Sequence, residues 1–351
     1  MQVELDLAFL EELLAAVGPS GFEGEARKVW KRAAEAFADE VWEDTNGNVF
    51  AQINPGKPGR LMLDGHLDEI GLIVTDIDEK GFVYVQGLGG WDPQVLVGQR
   101  VRFLGKKGEV LGVVGRKAAH LLEEEDRRKA VRIRDLWVDL GVDAREEALA
   151  YLEVGSVGVL DQPLRYLHGR RIVSKAIDNR IGAFAVLEAL RHLRDAGAQV
   201  EVTAVASAQE EVSGAGAGTA AFRLKPRQAI VVDVTHCTRV PGVEKRVAGQ
   251  AELGKGPDLS VGPYLHPELV RRLRAIAERE GIPYTTSVES GHTRTNADAV
   301  ALTREGVPTA VVSVPNRYMH SPSEMVDLGD VERVVRLVAL YGLELEEIRG
   351  R

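Results

Sequence analysis

The chain has 351 residues, of which 44 are Lys or Arg and 53 are Asp or Glu, so its formal net charge is −9. A hydrophobic content of 44% is enough for a sizeable core, spread over about two domains, and it excludes disorder or collagen-like fibres as the main state. The acidic surplus disfavours general nucleic-acid binding, which needs clustered Lys and Arg side chains against phosphates.

The N-terminal segment predicts two helices followed by a strand. The first helix has an apolar face at helical spacing, formed by Leu7, Leu10, Leu13, Leu14 and Val17. It ends at the Gly-Pro pair 18–19. Ser20 and Glu23 have the spacing of a capping box, so a second helix should begin there. A buried strand at 60–64 then leads into the sequence Gly-His-Leu-Asp-Glu of residues 65–69.

From residue 71 to about 160 the sequence consists of short β-branched runs separated by glycines. These runs cover residues 71–74, 82–85, 98–103 and 109–115. Two helical patches, 121–128 and 144–151, interrupt them. This spacing predicts a small β-rich module inserted after the motif of the first strand.

After about residue 172, helices and apolar strands alternate. The predicted helices cover residues 181–193 and 267–280, and the predicted strands cover residues 200–208, 229–234 and 309–314. Long helices between short apolar strands indicate the α/β class, in which helices lie on the faces of a sheet.

Cysteine usage and the N-terminal composition bear on the compartment. The single cysteine, Cys237, cannot form an internal disulfide, so nothing requires an oxidising environment. The stretch 1–18 is acidic and amphipathic, unlike a signal peptide, and no run of about 18 uncharged apolar residues suits a membrane span. We therefore expect a cytoplasmic protein without a membrane partner.

Acidic and imidazole side chains fall at or just past the carboxyl ends of predicted strands, which is the edge where open α/β sheets build their sites. These residues are His66, Asp68, Glu210, Glu211, Asp233 and His320. Asp178 stands just before a predicted helix and could join them.

Imidazole and carboxylate groups without thiolates are the ligands expected for zinc or a similar divalent ion. Five candidate ligands exceed what one tetrahedral ion with an open position needs. Two ions about 3.5–4 Å apart that share one carboxylate and a water molecule would use them all. The sequence therefore predicts two divalent metal ions, with zinc first and cobalt or manganese as alternatives.

The spacing of neighbouring polar residues separates their roles. Neighbours in an extended chain point to opposite sides, so Glu210 and Glu211 are not equivalent ligands. One can bind metal while the other takes a proton from water and passes it to a leaving amine. Residues two apart share a face, so Asp68 can accept the second N–H of His66 and fix its tautomer. Structural or surface positions are expected for the remaining histidines, which are His120, His168, His192, His236, His266 and His292.

The candidate site residues lie in five short segments: HLDEIG at 66–71, KAIDNR at 175–180, QEEV at 209–212, DVT at 233–235 and YMHSP at 318–322. In this order they resemble the motifs of the tetrahedral aminopeptidases, also called glutamyl or deblocking aminopeptidases. The likeness runs nearly end to end and extends to PSGFE at 19–23, GRK at 115–117 and LGKGP at 253–257. A single His-x-Asp or Glu-Glu would be unspecific, whereas five ordered motifs are highly specific.

The resemblance implies a metal-dependent aminopeptidase that removes N-terminal residues from short peptides, with the α/β fold and mixed sheet of dinuclear zinc exopeptidases. The metal ligands that it implies are His66 and Asp233 for one ion, Glu211 and His320 for the other, and Asp178 as the bridge. It assigns Glu210 as the general base and Asp68 as the residue that orients His66. The wider clan of dinuclear exopeptidases also implies a cis peptide bond between Asp178 and Asn179.

The resemblance also implies a domain organisation and an assembly. A catalytic α/β domain would comprise residues 1–69 and 166–351. Residues 70–165 would form the inserted β-rich domain, which mediates contacts between subunits and acts as a lid. Twelve subunits would form a hollow tetrahedral homo-oligomer.

Two segments depart from the family pattern. Family members usually continue with Gly-x-Arg-Gly after Val212, where this chain has Ser-Gly-Ala-Gly at 213–216. They commonly have Ala-Thr-Asp after His236, where this chain has Cys237-Thr238-Arg239, so a local charge is reversed.

The sequence leaves three other functions open. An amidohydrolase or carboxypeptidase would use the same dinuclear site. A glycoside hydrolase fits less well, because its two carboxylates flank a sugar at about 5–9.5 Å and need no imidazole ligands. The altered loop at 213–216 would suit a non-catalytic scaffold or binding subunit, although every implied ligand and the base are present.

Overall fold

The computed structural model describes residues 2–348. Its α-helices are α1 (Leu7–Ala15), α2 (Gly24–Glu35), α3 (Glu124–Arg127), α4 (Arg145–Leu149), α5 (Ile177–Asp195), α6 (Ala215–Leu224), α7 (Lys245–Ala248), α8 (Pro267–Arg279), α9 (Ala297–Ala301) and α10 (Leu328–Leu343). Its strands are β1 (Glu40–Glu43), β2 (Val49–Ile53), β3 (Leu61–His66), β4 (Gly71–Ile77), β5 (Val83–Leu88), β6 (Arg100–Gly105), β7 (Gly108–Gly115), β8 (Trp137–Asp139), β9 (Val157–Leu160), β10 (Arg165–Tyr166), β11 (Arg171–Ser174), β12 (Val202–Ser207), β13 (Gln228–His236), β14 (Asp258–Leu259), β15 (Thr309–Asn316) and β16 (Glu324–Asp327).

A seven-stranded mixed sheet forms the centre of the fold, in the order β1-β2-β12-β3-β13-β15-β14. The four middle strands β12, β3, β13 and β15 run parallel, whereas β1, β2 and β14 pair antiparallel at the edges. These parallel strands are buried except at the last two residues of β13, which explains their largely apolar sequences. The predicted α/β class with a mixed sheet flanked by helices is confirmed.

Helices cover both faces of the sheet. A Cβ atom on Gly65 of β3 would lie 2.4 Å from the carbonyl carbon of Gly182, so α5 packs directly on that face. The neighbouring Asp64 instead accepts a hydrogen bond from Asn296, which immediately precedes α9. Because successive strand residues point to opposite faces, α5 and α9 lie on opposite sides of the sheet. Side chains at 65 and 182 would force the helix and strand apart.

Strands between residues 71 and 160 close into a barrel, in the order β4-β5-β8-β7-β6-β9. The barrel has its own buried core, which includes Leu72, Val101, Phe103 and Val138. A second core, far larger, lies around the mixed sheet. The division of the chain at residues 70 and 165 stays a prediction.

One local prediction near the N-terminus is wrong. Helix α2 begins with Glu23 in the capping position but without a side-chain cap, so Ser20 and Glu23 do not form a capping box. The hydroxyl of Ser20 donates to the carboxylate of Asp68, and Glu23 Oε1 accepts the N–H groups of Gly21 and Gln209. Tertiary partners thus replace the local ones, and both side chains support the candidate site.

No helix within residues 2–348 combines the length and the apolar character that crossing a membrane requires.

Candidate metal centre

The carboxyl ends of the parallel strands bring the candidate residues together. His66 is the last residue of β3, and Asp233 lies within β13 in register with it, because Val231 pairs with Asp64 two residues earlier. His320 follows β15, and the turn that carries Glu210 follows β12. Parallel strands end at one edge of a sheet, so residues far apart in sequence share one site.

Asp178 lies between the two imidazoles. Its Oδ1 is 3.2 Å from His66 Nε2, and its Oδ2 is 3.3 Å from His320 Nε2. The Asp178–Asn179 peptide bond is cis, as the resemblance to dinuclear exopeptidases implied. Asn179 secures this segment, since its amide donates to the carbonyl of Val232 and accepts from the N–H of Gly182. Both carboxylate oxygens of Asp178 therefore face imidazole nitrogens.

Asp68 holds His66 and the Glu210–Glu211 segment at once. His66 Nδ1 is 3.3 Å from Asp68 Oδ1 and 3.2 Å from the Asp68 carbonyl oxygen, so a proton at Nδ1 has acceptors and Nε2 faces Asp178. The same carboxylate accepts the backbone N–H groups of Glu210 and Glu211 at 3.0 and 3.1 Å. The contact to Glu210 and Glu211 was not foreseen from the sequence, because those residues lie far along the chain.

The extended chain expected for Glu210 and Glu211 is not found. They open a 3₁₀ turn, Glu210–Val212, which follows Gln209 at a left-handed φ of 61°. Their side chains nevertheless reach different neighbours. Glu210 Oε2 lies 3.6 Å from His66 Nε2, and Glu211 Oε1 lies 3.2 Å from His320 Nε2. The turn, rather than strand alternation, separates the two carboxylates.

The side chains form overlapping groups whose donor atoms lie within 4.8 Å of one another. One group is His66, Asp178 and Asp233, and another is Asp178, Glu211 and His320. A third comprises His66, Glu210 and Glu211. Asp178 belongs to both of the first two groups, which is the arrangement expected of a carboxylate shared between two cations.

The buried carboxylates of this cluster lie close together, which favours the binding of cations. Burial, and after it the charges of Asp178 and Glu210, raise the pKa of Asp233 well above its usual range. Burial and then the charge of Asp178 also raise the pKa of Glu211. No Lys or Arg within residues 2–348 pairs with these carboxylates, and the buried Glu211 Oε1 lacks a hydrogen bond of good geometry. Crowded carboxylates that have imidazole neighbours but lack a Lys or Arg partner within residues 2–348 fit divalent metal ions.

Two further residues contact the candidate site and were not predicted from the sequence to do so. Glu324, in β16, accepts the backbone N–H groups of Asp178 and His320, each at 2.8 Å. Ser20 bonds to Asp68, as described above. The sequence offered one signal for Glu324, an acid four residues after His320 and just beyond the last motif.

The cluster lies at the floor of a cleft of about 890 Å³. One wall is the loop 289–295, and Gly90 of the barrel segment approaches from another side. A Cβ atom at Gly90 would come within 3.2 Å of His320 Nδ1, so glycine lets the barrel backbone reach the site. His236 and His292, for which structural or surface positions were expected, also line the cleft.

The two departures from the family pattern occupy different surroundings. Residues 213–216 lead into α6, where a Cβ atom on Gly216 would lie 2.2 Å from the Ala208 carbonyl oxygen. Arg239 is exposed and lies 3.8 Å from Glu252. Cys237 is buried.

Comparisons with known proteins give the family. The profile described as M42 glutamyl aminopeptidase matches residues 47–337. Lysyl aminopeptidase from Pyrococcus furiosus is 35% identical over 348 residues, which are 98% of each chain. The structure of a TET aminopeptidase from the marine sediment archaeon Thaumarchaeota archaeon SCGC AB-539-E09 is 35% identical, with a TM-score of 0.93 over 97% of this chain and 96% of that one.

Two further structures describe the assembly of relatives. The Pyrococcus horikoshii TET1 peptidase, which can assemble into a tetrahedron or a large octahedral shell, and PhTET1-12s, a dodecamer, are each 30% identical to this chain. Each has a TM-score of 0.86 and covers 97% of this chain, with 99% and 100% of the respective relatives covered. The chain is therefore a hydrolase of the aminopeptidase type and belongs to the M42 glutamyl aminopeptidase family.

Proposed function

We propose that this aminopeptidase cleaves the first peptide bond of short peptides with two divalent metal ions in the cleft. His66 and Asp233 would hold one ion, Glu211 and His320 would hold the other, and Asp178 would contribute to both sites. The observation that carries this proposal is the membership of Asp178 in both donor groups. Zinc suits a site of imidazoles and carboxylates without thiolates, and cobalt or manganese would bind the same donors.

Glu210 is proposed as the general base. When bound, the ions polarise the scissile carbonyl and lower the pKa of water. Glu210 takes the proton of that water and returns it to the leaving amine. Its carboxylate lies beside His66 at the cleft, and burial raises its pKa to about 8, although the charge of His66 opposes this shift. A carboxylate with this pKa can accept and release a proton near neutral pH. Asp68 keeps the ring of His66 and the backbone of Glu210 in place.

Replacement of Glu210 tests this role. The variant Glu210→Gln keeps the size of the side chain but removes the proton acceptor, so we expect kcat to fall at least about 10²-fold while two metal ions remain bound. Peptides with a free amine, an acetylated amine and a blocked carboxyl group should be assayed together, with metal content measured on the same samples. Turnover near the wild-type rate would remove Glu210 from the base role, and cleavage of acetylated peptides alone would favour an amidohydrolase.

A homo-oligomer is proposed on two grounds. The relatives described above assemble into dodecamers or shells. On the barrel, Leu111 and Val113 point to the same side of β7 and are 52% and 47% exposed, which suits a surface covered by another subunit. A monomeric mass in light scattering would contradict this proposal. The cytoplasmic location and the short-peptide substrates stay predictions.

A further inference from the structure

Glu324 links two candidate metal ligands through their backbones. Its Oε2 accepts the N–H of Asp178, and its Oε1 accepts the N–H of His320, each at 2.8 Å. The residue is only 3% exposed, so water does not compete freely for these bonds. One side chain therefore sets the distance between two residues that come from separate parts of the chain.

The local backbone leaves both N–H groups in need of this partner. His320 has a left-handed φ of 58°, and the backbone of Asp178 and Asn179 is not helical although α5 formally begins at Ile177. Neither N–H donates to a helical or strand carbonyl, and a buried N–H without an acceptor is costly. Glu324 is well placed, because β16 pairs with β11 and sets Glu324 opposite Ser174, just before the Asp178 segment.

The carboxylate of Glu324 has no Lys or Arg counter-ion among the described residues. It is buried, and within residues 2–348 no Lys or Arg forms an ion pair with it, so the Glu324 side chain is held by backbone N–H groups such as that of Asp178. Buried carboxylates without a cation are unfavourable unless hydrogen bonds and nearby charges compensate. Cations bound by Asp178 and His320 would supply that compensation.

We propose that Glu324 is a positioning residue that sets the affinity for the metal ion held by Asp178, Glu211 and His320. The inference rests on the proposed function, because it assumes the two-ion site. Glu324 holds Asp178 and His320 so that Asp178 Oδ2 and His320 Nε2 lie 3.3 Å apart and face the same space. The ion assigned to His66 and Asp233 shares only Asp178 with this arrangement, so it depends on Glu324 less.

The variant Glu324→Gln tests the inference, because its amide oxygen can accept one N–H while its NH₂ group faces the other. Metal-free wild type and variant should be titrated with Zn²⁺ by calorimetry. We expect two sites in the wild type, and in the variant a 10–100-fold weaker affinity at one site with little change at the other. Activity should fall at limiting zinc and recover in excess zinc, which separates positioning from a direct catalytic role.

Asp330 provides a matched control. This buried carboxylate also accepts two backbone N–H groups, of Gly254 and Gly256 at 2.6 and 2.7 Å. Unlike Glu324 it pairs with Arg333 at 2.9 Å, and among residues 2–348 it has no hydrogen bond or ion pair with a proposed ligand. The variant Asp330→Asn should lower the thermal midpoint and leave both zinc affinities unchanged. If Glu324→Gln does not fold, Glu324→Asp keeps both acceptors on a shorter side chain and should show the same selective loss, smaller in size.

The outcomes separate the inference from the proposed function. If the wild type binds two zinc ions and Glu324→Gln or Glu324→Asp binds both with wild-type affinity, the inference is wrong and the two-ion proposal stands. Equal weakening of both sites, matched by Asp330→Asn, would also overturn it, since general destabilisation would then suffice. A wild type that binds fewer than two zinc ions would refute the proposed function and the inference with it.

Discussion

The carboxylates proposed for this site share one chemistry, but their surroundings shift their pKa values in opposite directions. Asp68 is buried, which would raise its pKa, but the hydrogen bond with His66, the charge of His66 and the hydrogen bonds from Ser20 and the Glu210 backbone together outweigh burial, so the pKa is lowered. Glu210 has no such donor and its pKa is raised by burial. An ionised acid suits orientation of an imidazole, whereas an acid that titrates near neutrality suits proton transfer. The proposed assignment of Asp68 and Glu210 to these two roles therefore rests on their surroundings rather than on residue type.

At the same scale, the metal-free protein should lose stability as the pH rises from about 5 to 8. Burial raises the pKa of Glu210 from 4.5 to about 8, so the folded chain keeps a proton that the unfolded chain has released. Burial opposes the shift at His320, but bonds to Asp178 and Glu211 raise its pKa from 6.5 to about 11, which acts in the same direction above pH 6.5. Over this pH range the folded chain binds more protons than the unfolded chain, so the free energy of unfolding decreases as the pH rises.

Thermal midpoints measured in chelator at pH 5, 6, 7 and 8 check this expectation. We expect the midpoint of the metal-free wild type to decrease by several degrees across this range, and that of metal-free Glu210→Gln to decrease less. Zinc-loaded wild type, measured without chelator, should show the smallest decrease. A midpoint that increases steadily from pH 5 to 8 in chelator would contradict the cited shifts.

At the level of elements, hydrophobic periodicity predicted helices α1, α5 and α8 and the four parallel strands, but helices α6 and α10 were not predicted. The predicted strand at 309–314 is Thr309–Asn316, and the predicted helix at 267–280 is Pro267–Arg279. Strands of two to four residues, such as β14 and β16, were missed because so short a run carries no period. Glu324 was missed with β16, since its function depends on N–H groups that only the tertiary fold brings near.

The candidate site was predictable where a motif ends a strand, as at His66, and less so where tertiary contacts override local rules. Ser20 and Glu23 have capping-box spacing, yet their partners are Asp68 and the backbone of Gln209 and Gly21. A capping box gains about 1 kcal/mol, which a buried carboxylate in need of donors readily exceeds. Local spacing therefore failed at the functional site.

A buried ion cluster ties together α1, the end of β3 and α5. Lys175 Nζ lies 2.8 Å and an Arg180 nitrogen 2.9 Å from Glu69 Oε1, with all three side chains almost fully buried. Arg180 also donates to the carbonyls of Leu13 and Ala16 at the end of α1. Removal of one partner from such a cluster leaves buried charge uncompensated, which costs about 3–5 kcal/mol.

We therefore expect Glu69→Gln to lower the free energy of unfolding by about 3–5 kcal/mol in denaturant titrations. The control is Glu43→Gln, which breaks partly exposed pairs with Lys31 and Arg27 at 3.0 and 3.3 Å and should cost less than about 1 kcal/mol. Equal effects of the two substitutions would show that burial of the cluster does not matter.

Across the whole molecule, the proposed metal ligands join parts of the chain that are remote in sequence. They come from the end of β3, the start of α5, the turn after β12, strand β13 and the loop after β15. The barrel strands β4 to β9 contribute no proposed ligand and have a separate apolar core. Bound ions should therefore stabilise the mixed sheet by cross-linking its carboxyl edge, while the barrel core keeps its own cohesion.

Metal removal checks this division. Each bound ion adds about 2.7 kcal/mol of stability when free metal is one hundred times its dissociation constant, and chelation removes that contribution. We expect hydrogen–deuterium exchange after chelation to increase in β3, β13 and the segments around Asp178 and His320, and to stay nearly unchanged in barrel strands β6 and β7. Added zinc should restore protection, which controls for irreversible damage. Uniform loss of protection would mean that the sheet and barrel unfold as one unit, and unchanged exchange at the sheet edge would argue against metal there.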